Sequence, residues 1–342
     1  MTVAATGVGW LESLSPWPKD GFGTERMRAL LARLGDPQRA FTAIHVVGTK
    51  GKSTAARRIA RTIGGPAYTS PHVSGWHERL DTDPAGLERA VARIRAEAEA
   101  VAATQFEAIT AAAFADFADC GATHAAVEAG LGGRHDATNV IDAPVVLLTN
   151  VGLEHTDVLG ATREQIAAEK LAVAGRHAIV ILPDGEFAHL VPGEVRIGGA
   201  EDAVEALLGR RVPLADASLP GRLELRENEV RDGAHTPEAA DWLLERLPEP
   251  GGYVVVASIL ADKDAPAILE RLARAGTTFV ATQSSNARSL PAEALAGLAR
   301  ATFATVETES DPHAALAHAR RLGPRVLVTG SLYLLADLAG TE

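Results

Sequence analysis

The chain has 342 residues, 46% of them hydrophobic and 23% charged, with a formal net charge of −11. That length holds two domains and a full core; the composition is that of a soluble globular protein, and the acidic balance, relieved by no long basic run, argues against a nucleic-acid partner. One cysteine, Cys120, excludes a disulfide framework or a Cys-based zinc site, no apolar run approaches the roughly 18 residues of a membrane span, and the N-terminus lacks a basic segment followed by an apolar one, so a cytoplasmic protein without a leader is expected.

Strand-like runs alternate with helical patterns from about residue 42 onward. In chain order, the hydrophobic periodicity predicts a helix over Thr24–Leu34, a strand over Ala43–Val47, then helices over Lys52–Ile63, Pro84–Ala103 and Phe106–Asp119. Strands Ala122–Glu128 and Pro144–Thr149 follow, then helix Thr162–Ala174 and strand His177–Leu182. Pro183–Leu219 is rich in Gly and Pro and has the weakest periodicity, so the domain boundary is expected at its end, near Ser218, giving domains 1–218 and 219–342. Beyond it come helix Pro237–Leu247, strand Gly252–Ser258, helix Pro266–Ala275, strand Thr277–Thr282, helices Pro291–Arg300 and Pro312–Leu322, and strand Arg325–Thr329. Short β-branched runs between helices argue for an α/β fold with parallel sheets covered on both faces. Cys120 and the tryptophans Trp10, Trp17, Trp76 and Trp242 are expected to be packing residues.

Only five residues are lysine against 28 arginines, and four of the five sit in compact motifs: Lys50 and Lys52 in GTKGKST, Lys170 in AAEK and Lys263 in ADKD; the fifth is Lys19. A compact point charge and a planar guanidinium do not serve the same site, so these positions are candidates for specific chemistry. Gly48-Thr49-Lys50-Gly51-Lys52-Ser53-Thr54 lies between a predicted strand and a predicted helix, the context in which backbone N–H groups and a helix N-terminus cradle phosphate. Lys52 would reach the β/γ-phosphates and a following hydroxyl would ligate Mg2+. The loop is shorter than GxxxxGK[ST], since Val46 stands where that pattern has Gly. Glu128 at a strand end before a Gly-rich turn, and His155 just past another strand, are plausible parts of a Mg2+ site, where ligand sites of open α/β sheets gather. Asp262 and Asp264 flank Lys263, and Asp264 is placed to cap a helix.

In order along the chain, GTKGKST, TSPH with Glu78-Arg79, FEAITAAAF (Phe106–Phe114), EAGLGGRHDATN, TNVGLEHTDVLG, Glu169-Lys170, GRLE (Gly221–Glu224), DGAHTPEAA (Asp232–Ala240), ADKD and VTGSLYL (Val328–Leu334) resemble the folylpolyglutamate synthase/dihydrofolate synthase family of the Mur ligase superfamily, over roughly residues 20–335. The resemblance implies an N-terminal P-loop-containing ATPase domain of Mur-ligase type and a smaller Rossmann-like C-terminal glutamate-ligase domain, with ATP between them. It implies an ATP-dependent amide ligase that adds glutamate to dihydropteroate, to a reduced folate, or to both, through an acyl phosphate. By resemblance Lys52 binds phosphate, Thr54 (with Ser53 as the alternative) and Glu128 hold Mg2+, His155 serves a second metal, and Lys170 carries CO2 as a carbamate that also faces metal. Arg222 and Asp232 resemble an ATP-contacting pair, with His235 in the same motif, and His72 is either an acceptor-pocket residue or a structural histidine. The expected partners are small molecules, with no nucleic acid or membrane, and the expected state is a monomer. The chain departs from the family in GTKGKST where GTNGKGS is usual, in Thr236 where Asn is usual, in a trimmed Arg61–His72 stretch, and in lacking the HQ-and-Asn motif before the second domain. These departures bear on the acceptor more than on ATP and favour a second reading, a Mur-type ligase for a different carboxylate acceptor; a third, of a different class, is a non-catalytic nucleotide-binding relative.

Overall fold

The computed structural model describes residues 6–18, 21–217, 219–249 and 251–339; Lys19 and the boundary expected at Ser218 fall outside them. The chain forms two compact units. One runs to His72 and resumes over Trp76–Ala217, and the other comprises Val73–Gly75 and the chain from Leu219 onward.

The first unit contains α1 (Gly7–Ser13), α2 (Glu25–Arg33), β1 (Thr42–Val47), α3 (Lys52–Ile63), β2 (Ala67–Tyr68), α4 (Pro84–Ala100), α5 (Gln105–Asp119), β3 (His124–Glu128), β4 (Val145–Leu148), α6 (Thr156–Leu159), α7 (Arg163–Leu171), β5 (Ile179–Leu182), β6 (Glu194–Ile197) and α8 (Ala200–Leu208). Its six strands pair in the order β2-β3-β1-β4-β5-β6, all parallel. β1 is buried from Ala43 to Val47 because both faces of the sheet are covered. Ile44 and Val46 pack with Ala56, Ile59 and Ala60 of α3, and on the other face Val47 packs with Ile166 and Leu171 of α7. α3 starts after Gly51 and stops at Gly64, both left-handed, and buries Ser53, Ala56, Arg57, Ile59 and Ala60, a stripe at helical spacing. α5 and α7 each open on a reciprocal capping box, Thr104 with Glu107 and Thr162 with Gln165.

The second unit contains β7 (Glu224–Arg226), β8 (Glu229–Arg231), α9 (Pro237–Leu244), β9 (Val254–Ala257), α10 (Ala265–Leu272), β10 (Thr278–Ala281), α11 (Ala292–Ala299), β11 (Thr305–Thr308), α12 (Pro312–Leu322), β12 (Val326–Thr329) and α13 (Leu332–Ala339). Its sheet order is β11-β10-β9-β12-β8-β7, parallel except for the antiparallel β7–β8 hairpin at one edge. Asp264 caps α10, its side chain accepting from the Ala267 N–H at 3.1 Å.

Two packing expectations are corrected. Cys120 is exposed, because it is the C-cap of α5 and lies past the buried face of that helix. Trp17 and Trp242 are 60% and 41% exposed, whereas Trp10 and Trp76 are buried. The weakly periodic stretch before residue 219 holds β6 and α8, and the start of α8 is fixed by the Asp202 carboxylate accepting the Gly199 N–H at 2.8 Å. Among the described residues no helix is long and apolar enough to cross a membrane.

Candidate active site

The register brings three strand ends to one edge of the first sheet, since Val46 lies opposite Glu128 and Val47 opposite Leu148. Carboxyl ends of parallel strands are where such sheets bind ligands. The chain leaving β1 enters the phosphate-type loop, and the chain leaving β4 pins it. Thr149 Oγ1 and Asn150 Nδ2 donate to the Lys50 carbonyl at 2.7 and 3.1 Å, the Lys50 N–H donates to Asn150 Oδ1 at 2.9 Å, and the Gly152 N–H donates to Thr49 Oγ1 at 3.0 Å. This close approach requires glycine at position 48: its φ is 142° and a Cβ there would stand 2.0 Å from Thr149 Oγ1. The loop then turns through Gly51 into α3, so the first N–H groups of that helix face the loop's concavity. Lys52 folds back with Nζ 3.4 Å from the Thr49 carbonyl.

Glu128, 2% exposed, stands at the end of β3 beside this loop. Its Oε1 accepts from Ser53 Oγ at 3.1 Å and its Oε2 from the Ser70 N–H at 2.9 Å. Of the two hydroxyls after Lys52, it is therefore Ser53, not Thr54, that touches the carboxylate. Ser70 opens a strip over Glu128 that Arg57 of α3 holds down through an ion pair with Asp81 and a bond to the Glu78 carbonyl. The strip is further tied to β2 by the Thr69 N–H donating to the Arg79 carbonyl at 3.1 Å.

Lys170, 1% exposed, lies near the end of α7, which the GLGGR turn wraps. A Cβ at Gly133 would meet the Lys170 carbonyl at 2.5 Å, and the Arg134 N–H donates to the Glu169 carbonyl at 3.0 Å. Lys170 Nζ donates to the Gly48 carbonyl at 2.9 Å and to Glu154 Oε1 at 2.8 Å. Burial pulls the Lys170 ammonium down from its ordinary range, with Glu154 opposing. Burial pushes Glu154 up, but Lys170, helped by Lys52 and Thr49, outweighs it and holds that carboxyl below the usual carboxylate range. These neighbours fit an ammonium. A carbamate on Nζ would set an anion against the Glu154 carboxylate and the Gly48 carbonyl, so the surroundings do not fit the expected modification.

His155 is exposed on the loop after β4, in left-handed conformation at the N-cap of α6. Among the described residues no three His, Cys, Asp or Glu side chains converge as a ready-made metal cage. Behind the site a buried chain runs from His45 of β1, whose Nε2 lies 2.9 Å from Thr138 Oγ1, to Asp136, which accepts from Thr138 Oγ1 at 2.5 Å and from the Leu131 N–H at 2.8 Å. In the second unit, Asp232 accepts from the Leu223 N–H at 2.7 Å and the Ala234 N–H at 2.9 Å, clasping the GRLE and DGAH turns together, and His235 Nδ1 bonds the Gly233 carbonyl at 2.8 Å. Arg222 sits on the turn that Asp232 holds. Ser70, Asn150, Glu154, Asp136 and Thr138 lie inside motifs read from the sequence, which give them no individual role, and His45 lies outside those motifs.

The Mur ligase, glutamate ligase domain family matches residues 221–332. The dihydrofolate synthase/folylpolyglutamate synthase of Mycobacterium tuberculosis is 32% identical, with 82% of this chain and 78% of that protein covered. Escherichia coli FolC, solved in complex with DHPP and ADP, superposes with a TM-score of 0.86 at 25% identity, covering 98% of this chain and 97% of the other. A bifunctional folylpolyglutamate synthase/dihydrofolate synthase from Yersinia pestis, complexed with AMPPNP and Mn ion, gives 0.83 at 25% identity over 98% and 97%. By sequence over most of its length and by fold over nearly all of it, the chain belongs to the folylpolyglutamate synthase/dihydrofolate synthase family of the Mur ligase superfamily and is an ATP-dependent ligase.

Proposed function

We propose that this ligase joins L-glutamate to dihydropteroate or a reduced folate, as a monomer in the cytoplasm, with ATP as the phosphoryl donor. The observation that carries the reading is the buried Glu128 carboxylate touching Ser53 of the phosphate loop at the carboxyl ends of the strands. In the first step an acceptor carboxylate oxygen attacks the γ-phosphorus, the bond to the β-phosphate oxygen breaks, and ADP leaves. In the second the glutamate amine attacks the acyl carbon, the carbon–oxygen bond to phosphate breaks, and the amide forms as the nitrogen sheds its proton. Little covalent chemistry falls to the protein; its contribution is placement and charge. The N–H groups of Gly51–Ser53 cradle the phosphates, and Lys52 swings from the Thr49 carbonyl to the transferring group. Lys170, pinned by Glu154, fixes the Gly48 carbonyl and so the start of the loop.

The oxygen donors Ser53 and Glu128 fit a hard dication completed by substrate phosphates and water. Thr54 and His155 are the further candidates named by the family resemblance. Mg2+ bound there supplies neutralisation of the phosphate charge. No step runs through a carbamate. In the second unit Arg222, presented by Asp232, and His235 are the candidate nucleotide contacts.

The test is ADP release by the purified protein with Mg2+, ATP and glutamate, with dihydropteroate or tetrahydrofolate added in parallel. Stimulation by either supports the reading and assigns the acceptor. Silence with both, in protein shown to bind ATP, replaces the folate acceptor by another carboxylate.

A further inference from the structure

The strip over Glu128 carries a side-chain cluster that the reaction above leaves without a role. Arg79 Nε donates to His72 Nδ1 at 3.0 Å. The Arg79 guanidinium lies 4.7 Å over the Trp76 ring, and the His72 ring is 4.6 Å from the same indole. Trp76 is buried and anchored in turn, its Nε1 donating to Glu12 Oε1 at 3.3 Å. Burial draws the Arg79 guanidinium down from its ordinary range, and the nearby Tyr68 and Glu128 oppose it.

A guanidinium can only donate. His72 Nδ1 must therefore carry its lone pair, which leaves the ring proton on Nε2. Burial, reinforced by the Arg79 charge, lowers His72 to about 4, so the imidazole is neutral at neutral pH. Its orientation is set twice, by the Arg79 bond and by the indole. Yet the ring is only half-buried, and among the described residues nothing accepts from Nε2. A donor with a fixed direction and tautomer thus stands two residues from Ser70, whose N–H is bound by Glu128, next to an arginine.

We propose that His72 Nε2–H binds an anionic oxygen of the reacting groups, either the acceptor carboxylate or the transferring phosphoryl, and that Arg79 is the positioning residue that fixes its tautomer. The proposal rests on the ligase reading for the identity of the oxygen, but not for the tautomer. A neighbouring guanidinium favours an anionic oxygen over a neutral carbonyl there, because it makes the local potential positive.

The tautomer is read first, by 15N NMR of the unliganded full chain. The wild type should show the Nε2–H form, Arg79→Gln a mixture, and Arg79→Lys, which restores a donor, the wild-type pattern. His72→Phe should lower kcat/KM for the acceptor roughly 10- to 100-fold, the effect of a lost hydrogen bond to a charged group, and His72→Gln should recover most of it. A loss confined to acceptor KM with ADP affinity unchanged assigns the carboxylate; a loss in kcat with weakened ATP binding assigns the phosphoryl group. An Nδ1–H tautomer in the wild type, or a His72→Phe enzyme as active as the wild type with an unchanged unfolding midpoint, overturns the proposal. If neither acceptor stimulates ADP release, the ligase reading has failed separately. The His72 15N resonance is then followed on adding ATP, dihydropteroate or tetrahydrofolate, and no movement with any of them overturns the binding role.

Discussion

Ser53 and Thr54 are adjacent hydroxyls on one helical turn, and a helix separates adjacent residues by about 100°, so only one of them can face a given group. The structure gives that place to Ser53, which touches Glu128, while Thr54 lies off that face. Ser53→Ala should therefore lower kcat/KM for MgATP roughly 10-fold or more, the cost of removing a hydrogen bond to a charged group, and Thr54→Ala should cost much less. Equal losses in the two variants, measured by ADP release at limiting ATP, would reject the assignment. Lys52 acts differently, because its charge matters most where charge develops. Lys52→Ala should lower kcat by about 100- to 1000-fold, as for other lost charge-stabilising donors. Its melting temperature should stay close to the wild type, since the half-buried ammonium has one long bond to a carbonyl to lose. Amide formation at the wild-type rate in that variant would remove Lys52 from the mechanism.

At the scale of elements, the phosphate loop depends on the segment after β4 as much as on its own glycines. Asn150 both donates to and accepts from Lys50. Asn150→Ala removes both bonds and should weaken ADP binding about tenfold, by about 1.4 kcal/mol, without changing helix content; unchanged ADP affinity by calorimetry would show that the loop holds its shape alone. The loop was legible in the sequence because its signal is local, a β-branched run, a Gly-rich turn and a helix pattern. α3 and α12 begin and end where periodicity put them. The central strands β1, β3, β4, β5, β9, β10 and β12 were legible for a related reason: buried on both faces, they are short runs dominated by apolar residues. β6 and β11 were not, because they lie at sheet edges with half or more of their residues facing water, and β2 has only two residues. The Ser70–Glu128 contact was hidden for a topological reason. It spans 58 positions and exists because β2 pairs with β3, an order that no local pattern encodes.

For the molecule as a whole, the residue that most directly couples folding to pH is one that touches no substrate in the proposed reaction. His45 is fully buried in the central strand of the first sheet; Nε2 meets Thr138, and Nδ1 has no partner. Thr138 Oγ1 spends its proton on Asp136, so it accepts from His45 Nε2–H, and the ring is held neutral. Burial lowers its pKa from 6.5 to about 3. The unfolded chain therefore takes up this proton first. The contribution of neutral His45 is complete above about pH 6.5 and is lost as pH falls from there toward about 3, at about 1.4 kcal/mol per pH unit. Between pH 7 and pH 5 that amounts to about 2 kcal/mol, a sizeable part of a typical domain's stability. His45→Gln keeps an N–H for Thr138 and removes the titration. Urea unfolding at the two pH values should then show the wild type losing about 2 kcal/mol more than the variant, again from the linkage slope. The variant's own stability at pH 7 drops out of that comparison, because only the difference between the two pH values is read. Parallel losses would mean that acid lability comes from the carboxylates alone, and that the first sheet tolerates a proton at its centre.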